Sequence, residues 1–253
     1  MEFLVAPTTL VGFALVMVRA TAFVVLCPPF NTPSVTTRVK VGFAAGLALL
    51  LAKRTGEAVT DVSTAALVGA LFSQLLAGLA LAAFVFVLLQ ALQAAGELID
   101  VQVGFGMAAI LDPLSGNNAA PLGRLHQLIA TAIIFAINGH VLVTRAFIES
   151  VTIVPLAHVD TAGLAEGLVK AVATLFLAAI EIALPIVTAL FCTEVALGLL
   201  GKAAPQLNIL VIGFGLKALV AFGLLATTFV LLPSSTDSLL LHALRSAGRV
   251  FQR

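Results

Sequence analysis

The sequence predicts an all-α membrane protein with about six hydrophobic helical segments arranged as helical hairpins and an internal re-entrant or plug loop. Three observations predict it. Hydrophobic residues fill 61% of the 253 positions and charged residues only 10%, a balance outside the range of soluble domains. Several apolar runs reach the roughly 20 residues that a bilayer's hydrocarbon core demands of a helix. Lipid offers unpaired backbone groups no partner, and the runs far exceed the length of a barrel strand, so helices are expected. Finally, a polar, glycine-rich stretch from Gly96 to Pro113 separates two span-length segments. A plain connection between helices has no need of so long and so partly apolar a loop.

The segments follow in order. The first runs from Leu10 to Leu26 and is interrupted by Arg19; Met1-Glu2-Phe3 before it lacks a basic n-region, so it is expected to be retained as a span. The second, Val41 to Ala52, is too short for an upright span and is bracketed by Arg38 and Lys40 on one side and Lys53 and Arg54 on the other. Gly42 and Gly46 on it stand at helix-packing spacing. The third, Ala65 to Leu92, is alanine-rich and carries Gln74 and Gln90; the fourth, Leu125 to Ile148, contains Asn138-Gly139-His140. The fifth, Leu168 to Phe191, holds Glu181 and Pro185, and the sixth, Leu207 to Leu232, holds Lys217. A short polar tail, 233–253, carries Arg245, Arg249 and Arg253. With both termini cytoplasmic, Lys53, Arg54, Arg145, Lys170 and the tail arginines fall inside, against Arg38, Lys40, Arg124 and Lys202 outside. That is a mild positive-inside bias.

A charge at mid-membrane costs about 2.5–3.5 kcal/mol on insertion scales, so each one needs a partner. If the fifth and sixth segments form a hairpin turning near Leu199-Leu200, Glu181 falls level with Lys217 and a structural ion pair is expected. Pro185 is expected to kink the same helix. For Arg19 the nearest acids are Glu97 and Asp100 in the polar stretch. Either that stretch folds back to Arg19, or a carboxylate or carbonyl arrives from another subunit.

Catalytic chemistry is not in view. The chain has no HExxH, GxSxG, Walker A or EF-hand pattern. Its four histidines, His126, His140, His158 and His242, have no i, i+4 partner, so neither a metal nor any other cofactor is expected. His140 is expected to hydrogen-bond at a helix interface. Cys27 and Cys192 read as small core residues. A net charge of +1 gives no reason to expect nucleic acid as a partner. There are 17 Phe but no Trp and no Tyr, so the aromatic belts usual at lipid interfaces are missing. Either composition has drifted or much of the surface faces other protein.

Within the polar stretch, Val103 to Leu111 is too short to span and too apolar for free solvent. Such backbone is tolerated at membrane depth when buried in protein or lining an aqueous cavity. Gly104, Gly106 and Gly116 permit tight turns, while Phe105, Met107, Ile110 and Leu111 form an apolar stopper able to exclude water and ions from a pore. The alternative is an extracellular loop folded over the bundle.

The string Gly96-Glu97-x-x-Asp100-x-Gln102-x-Gly104-Phe105, followed by Asp112-Pro113, resembles the signature loop of the FliR family of flagellar export-gate subunits and its relatives in virulence type III secretion. Further matches follow in order: Arg19 with Pro28-Pro29-Phe30, Asn138-Gly139-His140, Pro155, Pro185, the block Gly198 to Asn208, and Gly213 to Lys217. Lys202 stands where the family often has Arg, and Gly215 where it often has Pro.

The resemblance implies one membrane-embedded export-gate domain, 1–253, with a plug loop at about 96–124. It implies one copy in a hetero-oligomer with P- and Q-type export-gate subunits, beside other export-apparatus membrane subunits. The assembly would lie in the bacterial inner membrane at the flagellar basal body and pass unfolded flagellar proteins in transit, with no catalysis of its own. Gly104, Phe105, Gly106, Met107, Ile110 and Leu111 would close the channel, and Glu97, Asp100, Gln102, Asp112 and Asn117 would anchor the loop. Arg19, Glu181, Lys217, Asn138, His140, Pro205, Gln206 and Asn208 would pair helices or subunits. The rival reading is an ion-coupled secondary transporter of a small solute using Glu181 and Lys217.

Overall fold

The computed structural model of the chain describes residues 7–32, 35–59, 63–105, 120–153, 161–206 and 208–251. Among these residues there are seven helices and no strand: α1 (Pro7–Leu26), α2 (Thr37–Glu57), α3 (Thr64–Val103), α4 (Pro121–Ala136), α5 (Gly139–Ile153), α6 (Thr161–Ala203) and α7 (Ile209–Phe251). The all-α membrane class is therefore the observed one. Four helices are long and apolar enough to cross a bilayer, five spans if the bent pair α4–α5 counts as one.

Helix lengths depart from the hydropathy segments, and each departure has a physical cause. Hydropathy marks where a helix suits lipid, whereas the helix itself continues until its backbone is capped. α3 has 40 residues and α6 and α7 have 43 each, about 60–65 Å at 1.5 Å per residue, twice the thickness of a hydrocarbon core. Gly96 to Gln102, expected in the plug loop, are thus the last turns of α3, and the 233–253 tail is helical through Phe251. It is amphipathic: Leu239, Leu240, Ala243 and Ala247 are buried while Asp237, His242, Arg245 and Arg249 lie outward or part-exposed. Pro185 sits inside an unbroken α6.

The chain divides into two compact units. The first comprises residues 1–88, 134–172 and 239–253. Its core joins Leu15, Phe23 and Val24 of α1 to Leu47 and Leu51 of α2, Phe84 and Leu88 of α3, and Phe147 and Val151 of α5. The rings of Phe23 and Phe147 lie 4.9 Å apart, and Phe30 stacks on Phe43 at 5.0 Å. α1 and α2 cross in close contact where Gly12 meets the backbone of Ala52 and Gly56, and Gly56 meets Thr8; a methyl group on either would strike main chain. α2 runs past its cationic flanks on both sides, to 21 residues. Gly42 and Gly46, expected to permit the close approach, face open space instead.

The second unit comprises residues 89–133 and 173–238. The end of α3 supplies Leu92, Ala95, Ile99 and Val103; α4 supplies Leu122 and Ala130; α6 buries the stripe Ala179, Ile182, Ala183, Ile186, Leu190 and Leu197. α7 buries Ala221, Leu225, Thr228, Leu232 and Thr236, also one stripe, with each threonine hydroxyl donating to a carbonyl of its own helix. The opposite faces of both helices are apolar and open: Phe176 is 62% exposed, Leu219 70% and Val230 79%. Cys192, expected in the core, lies on this outer side, whereas Cys27 is buried.

Candidate functional site

α4 begins at Pro121, a residue suited to the first helical position because it has no N–H to leave unpaired. The residue before it is Ala120, whose carbonyl accepts the first helical bond from Arg124 at 3.1 Å but whose side chain cannot cap the next amides. The cap comes from another helix. One oxygen of Asp100, on α3, accepts from the amide of Leu122 at 3.1 Å, and the other from Gly123 at 2.8 Å. Asp100 is 2% exposed, and its carboxylate meets the positive end of the helix dipole. Two glycines let the helices come this close. A side chain at Gly96 would stand 2.6 Å from the Leu122 carbonyl, and one at Gly123 would stand 2.6 Å from Cγ of Glu97. Glu97 itself accepts from Gln93 at 2.8 Å along α3. Buried His126, not singled out by sequence, faces the same turn. Its Nδ1 lies 2.8 Å from the Leu122 carbonyl, which can only accept, so Nδ1 carries the proton.

α3 stops at Gly104, whose φ of +102° is a left-handed conformation that other residues enter at a cost. The amides of Gly104 and Phe105 both donate to the Asp100 carbonyl at 3.0 Å. Asp100 therefore caps two helices, its main chain closing the end of α3 and its side chain opening α4. The ring of Phe105 lies edge-on to Phe214 at 5.8 Å and 6.4 Å from Phe222, both on α7. Beside it, the Gln102 amide donates to Glu194 Oε2 at 3.2 Å, and the other oxygen of Glu194 lies 3.1 Å from the Lys217 ammonium. Gly106, Met107, Ile110, Leu111, Asp112 and Asn117 lie outside the described residues, as do Pro155 and Leu207.

Lys217 was expected to pair with Glu181 and pairs with Glu194. The reason is register. The α6–α7 turn lies at 204–208, with Pro205 after the end of α6 and Asn208 capping α7 through its side chain to Val211 N at 3.4 Å. It is several residues later than Leu199-Leu200, and each residue of displacement moves the facing partner by two. Glu181 is exposed elsewhere on α6. Pro205, Gln206 and Asn208 form an exposed turn within the chain.

In the first unit Arg19 is fully buried and is held by groups of two other helices of its own chain. The guanidinium donates to the Ser150 carbonyl at 3.1 Å and to Gln74 Oε1 at 3.4 Å. Ser150 stands in the last turn of α5, where carbonyls lack a donor within the helix and the dipole is negative. Arg19 is thus a C-terminal cap delivered by α1. Asn138, with a φ of +57°, stands just before α5 and breaks the path from α4, and the pair is bent by 72°. Gly139 packs there with Leu240 and Ile134, leaving no room for a side chain. His140 lies with its ring 5.1 Å from Phe135; among the described residues its buried Nδ1 has no hydrogen-bond partner. Among the described residues no cluster of metal-ligating side chains occurs.

Residues 10–243 match the family described as bacterial export proteins, family 1. The chain is 31% identical over 225 residues to the flagellar biosynthetic protein FliR of Pectobacterium carotovorum subsp. carotovorum, covering 88% of this chain and 85% of that one. It is 31% identical over 217 residues to FliR of Escherichia coli strain K12, covering 85% and 83%. To FliR of Bacillus subtilis strain 168 it is 28% identical over 215 residues, covering 83% of each. A helical membrane chain matched along nearly its whole length in this way belongs to family 1 of the bacterial export proteins, the family of FliR.

Proposed function

We propose that the chain is the single-copy structural and gating subunit of the flagellar type III protein export gate, without catalytic activity. With P- and Q-type subunits it forms the inner-membrane channel, at the flagellar basal body, through which unfolded flagellar proteins pass. The segment between α3 and α4 closes that channel until a substrate arrives. Family membership supplies the export role, and the observation that carries the closure is the pinned base: the Asp100 side chain joins the end of α3 to the start of α4. A segment with both ends fixed at one point can change its own conformation without a change in the helices that hold it. Phe105 begins it with an apolar contact on α7, and its remaining closure residues are Gly104, Gly106, Met107, Ile110 and Leu111, with Glu97, Gln102, Asp112 and Asn117 as further anchors. The open apolar faces of α6 and α7, in a chain with no Trp or Tyr, fit contact with neighbouring subunits. The transporter reading rested on Glu181 with Lys217 at a broken helix; Lys217 is held by Glu194, and α6 is continuous.

Two measurements test this reading. Native mass spectrometry of the tagged chain, coexpressed with P- and Q-type subunits, should find one copy in a large hetero-oligomer. A self-sufficient monomer or homodimer that ignores them would overturn the assembly. Shortening 104–118 should leave that oligomer intact and make the membrane leak ions, whereas unchanged conductance would remove the plug.

A further inference from the structure

We propose that Glu194 is a positioning residue that seats the end of α3, and with it Phe105, on α7. Its bearing on closure rests on the export-gate reading; the seating itself does not. Each oxygen of this carboxylate serves a different helix, Oε1 the ammonium of Lys217 on α7 and Oε2 the amide of Gln102 on α3. Gln102 stands two residues before the left-handed stop at Gly104 and three before Phe105. A helix end fixed at Gln102 leaves Phe105 little freedom. The rings that receive Phe105 lie to either side of Lys217 in sequence, Phe214 before it and Phe222 after it. A side chain on Gly104 would itself stand 3.8 Å from Phe214. One polar bridge and one aromatic contact thus dock the same few residues on the same stretch of α7.

The chemistry favours a carboxylate at this place. The Lys217 side chain is 17% exposed on a helix whose neighbouring residues are apolar, so its ammonium needs an anion within the protein. Glu194 supplies it and has one oxygen left, which takes a neutral amide donor. The α6–α7 hairpin has its own buried stripes and turn, so losing the bridge to Gln102 loosens the end of α3 before it loosens the hairpin.

Thiol cross-linking in the membrane-embedded hetero-oligomer tests the proposal. The chain carries F105C and F214C, with Cys27 and Cys192 replaced by alanine, so that the aromatic contact is gone and the cross-link reports the polar seating. E194A should slow cross-linking about tenfold, the scale of one lost charge-assisted hydrogen bond. The exchange E194K/K217E should restore the rate, since the exchanged lysine can still donate to the Gln102 carbonyl oxygen. A role confined to the α6–α7 ion pair would leave the rate unchanged in Q102A, which keeps Glu194 with Lys217. An unchanged rate in E194A, or a rate that stays slow after the exchange, would overturn it. Where E194A fails to assemble, Q102A removes only the partly exposed leg; slower cross-linking there supports the seating and an unchanged rate overturns it. Ion leak through the assembly with intact Phe105 separates the two readings. Slowed cross-linking without added leak in E194A leaves Glu194 as the seat and removes closure. Normal cross-linking in E194A, beside a leak in the 104–118 deletion, keeps closure and removes Glu194.

Discussion

The two units solve the same problem with opposite charges. In each, two helices cross at glycines, Gly12 with Gly56 in one and Gly96 with Gly123 in the other. In each, a buried charge on one helix satisfies the open end of another: Arg19 of α1 takes the Ser150 carbonyl in the last turn of α5, and Asp100 of α3 takes the first amides of α4. The sign of each charge follows from the end it meets, since carbonyls accept and amides donate. The difference lies in what stands beside the cap. Arg19 sits within a packed core, while Asp100 sits at the base of a segment whose two ends it joins. Equivalent chemistry therefore stands inside a packed core in one place and joins the end of one helix to the start of the next in the other.

The sharpest way to break the comparison is to remove Arg19. Arg19→Ala leaves the buried Ser150 carbonyl without this donor and a cavity in the core, an expected loss of about 3–5 kcal/mol. Thermal melting of the purified assembly should show it as a marked drop or as failure to accumulate, with R19K partly protected. An unchanged melting temperature would mean that the end of α5 is satisfied without Arg19. Asp100→Ala should cost less, about 1–3 kcal/mol, the penalty of leaving two buried first-turn amides without their acceptor. Hydrogen exchange at Leu122 and Gly123 should accelerate about tenfold or more, and D100N should fall between, retaining one acceptor. Exchange that stays slow in D100A would show that the α4 cap is not Asp100.

Smaller effects sharpen the parallel. Gly96→Val and Gly12→Val should each cost about 1–3 kcal/mol through forced separation of backbones. If only one does, the two crossings are not equivalent. At the bend, Asn138→Val should cost about 1–2 kcal/mol because a branched side chain resists the left-handed conformation. Asn138→Gly should change stability by less than about 0.5 kcal/mol. Equal melting of the two variants would argue against the left-handed turn.

The sequence made the helical membrane class legible because apolar runs of this length leave few other structures available. It marked Gly104 as a place for a tight turn, but it drew Leu125 to Ile148 as one segment and so missed the break at Asn138-Gly139. It misplaced what depends on register. The fifth segment ended at Phe191 by hydropathy, so Glu194 was never weighed, although α6 runs on to Ala203. Reading Pro205 and Asn208 as the turn would have put Lys217 opposite residue 196, about half a helical turn from Glu194. The partners of Arg19 were hidden for a different reason: a backbone carbonyl 131 residues away carries no mark in a sequence.

Both capping charges stand upstream of the helix ends they satisfy, Asp100 by 22 residues from Leu122 and Arg19 by 131 from Ser150. α4 and α5 have only 16 and 15 residues, lengths at which a helix is marginal by itself. A chain made from its N-terminus therefore presents each cap before the short helix that needs it leaves the ribosome. The order of synthesis and the order of stabilisation coincide, and neither short helix has to wait for a later part of the chain to find its missing hydrogen-bond partner.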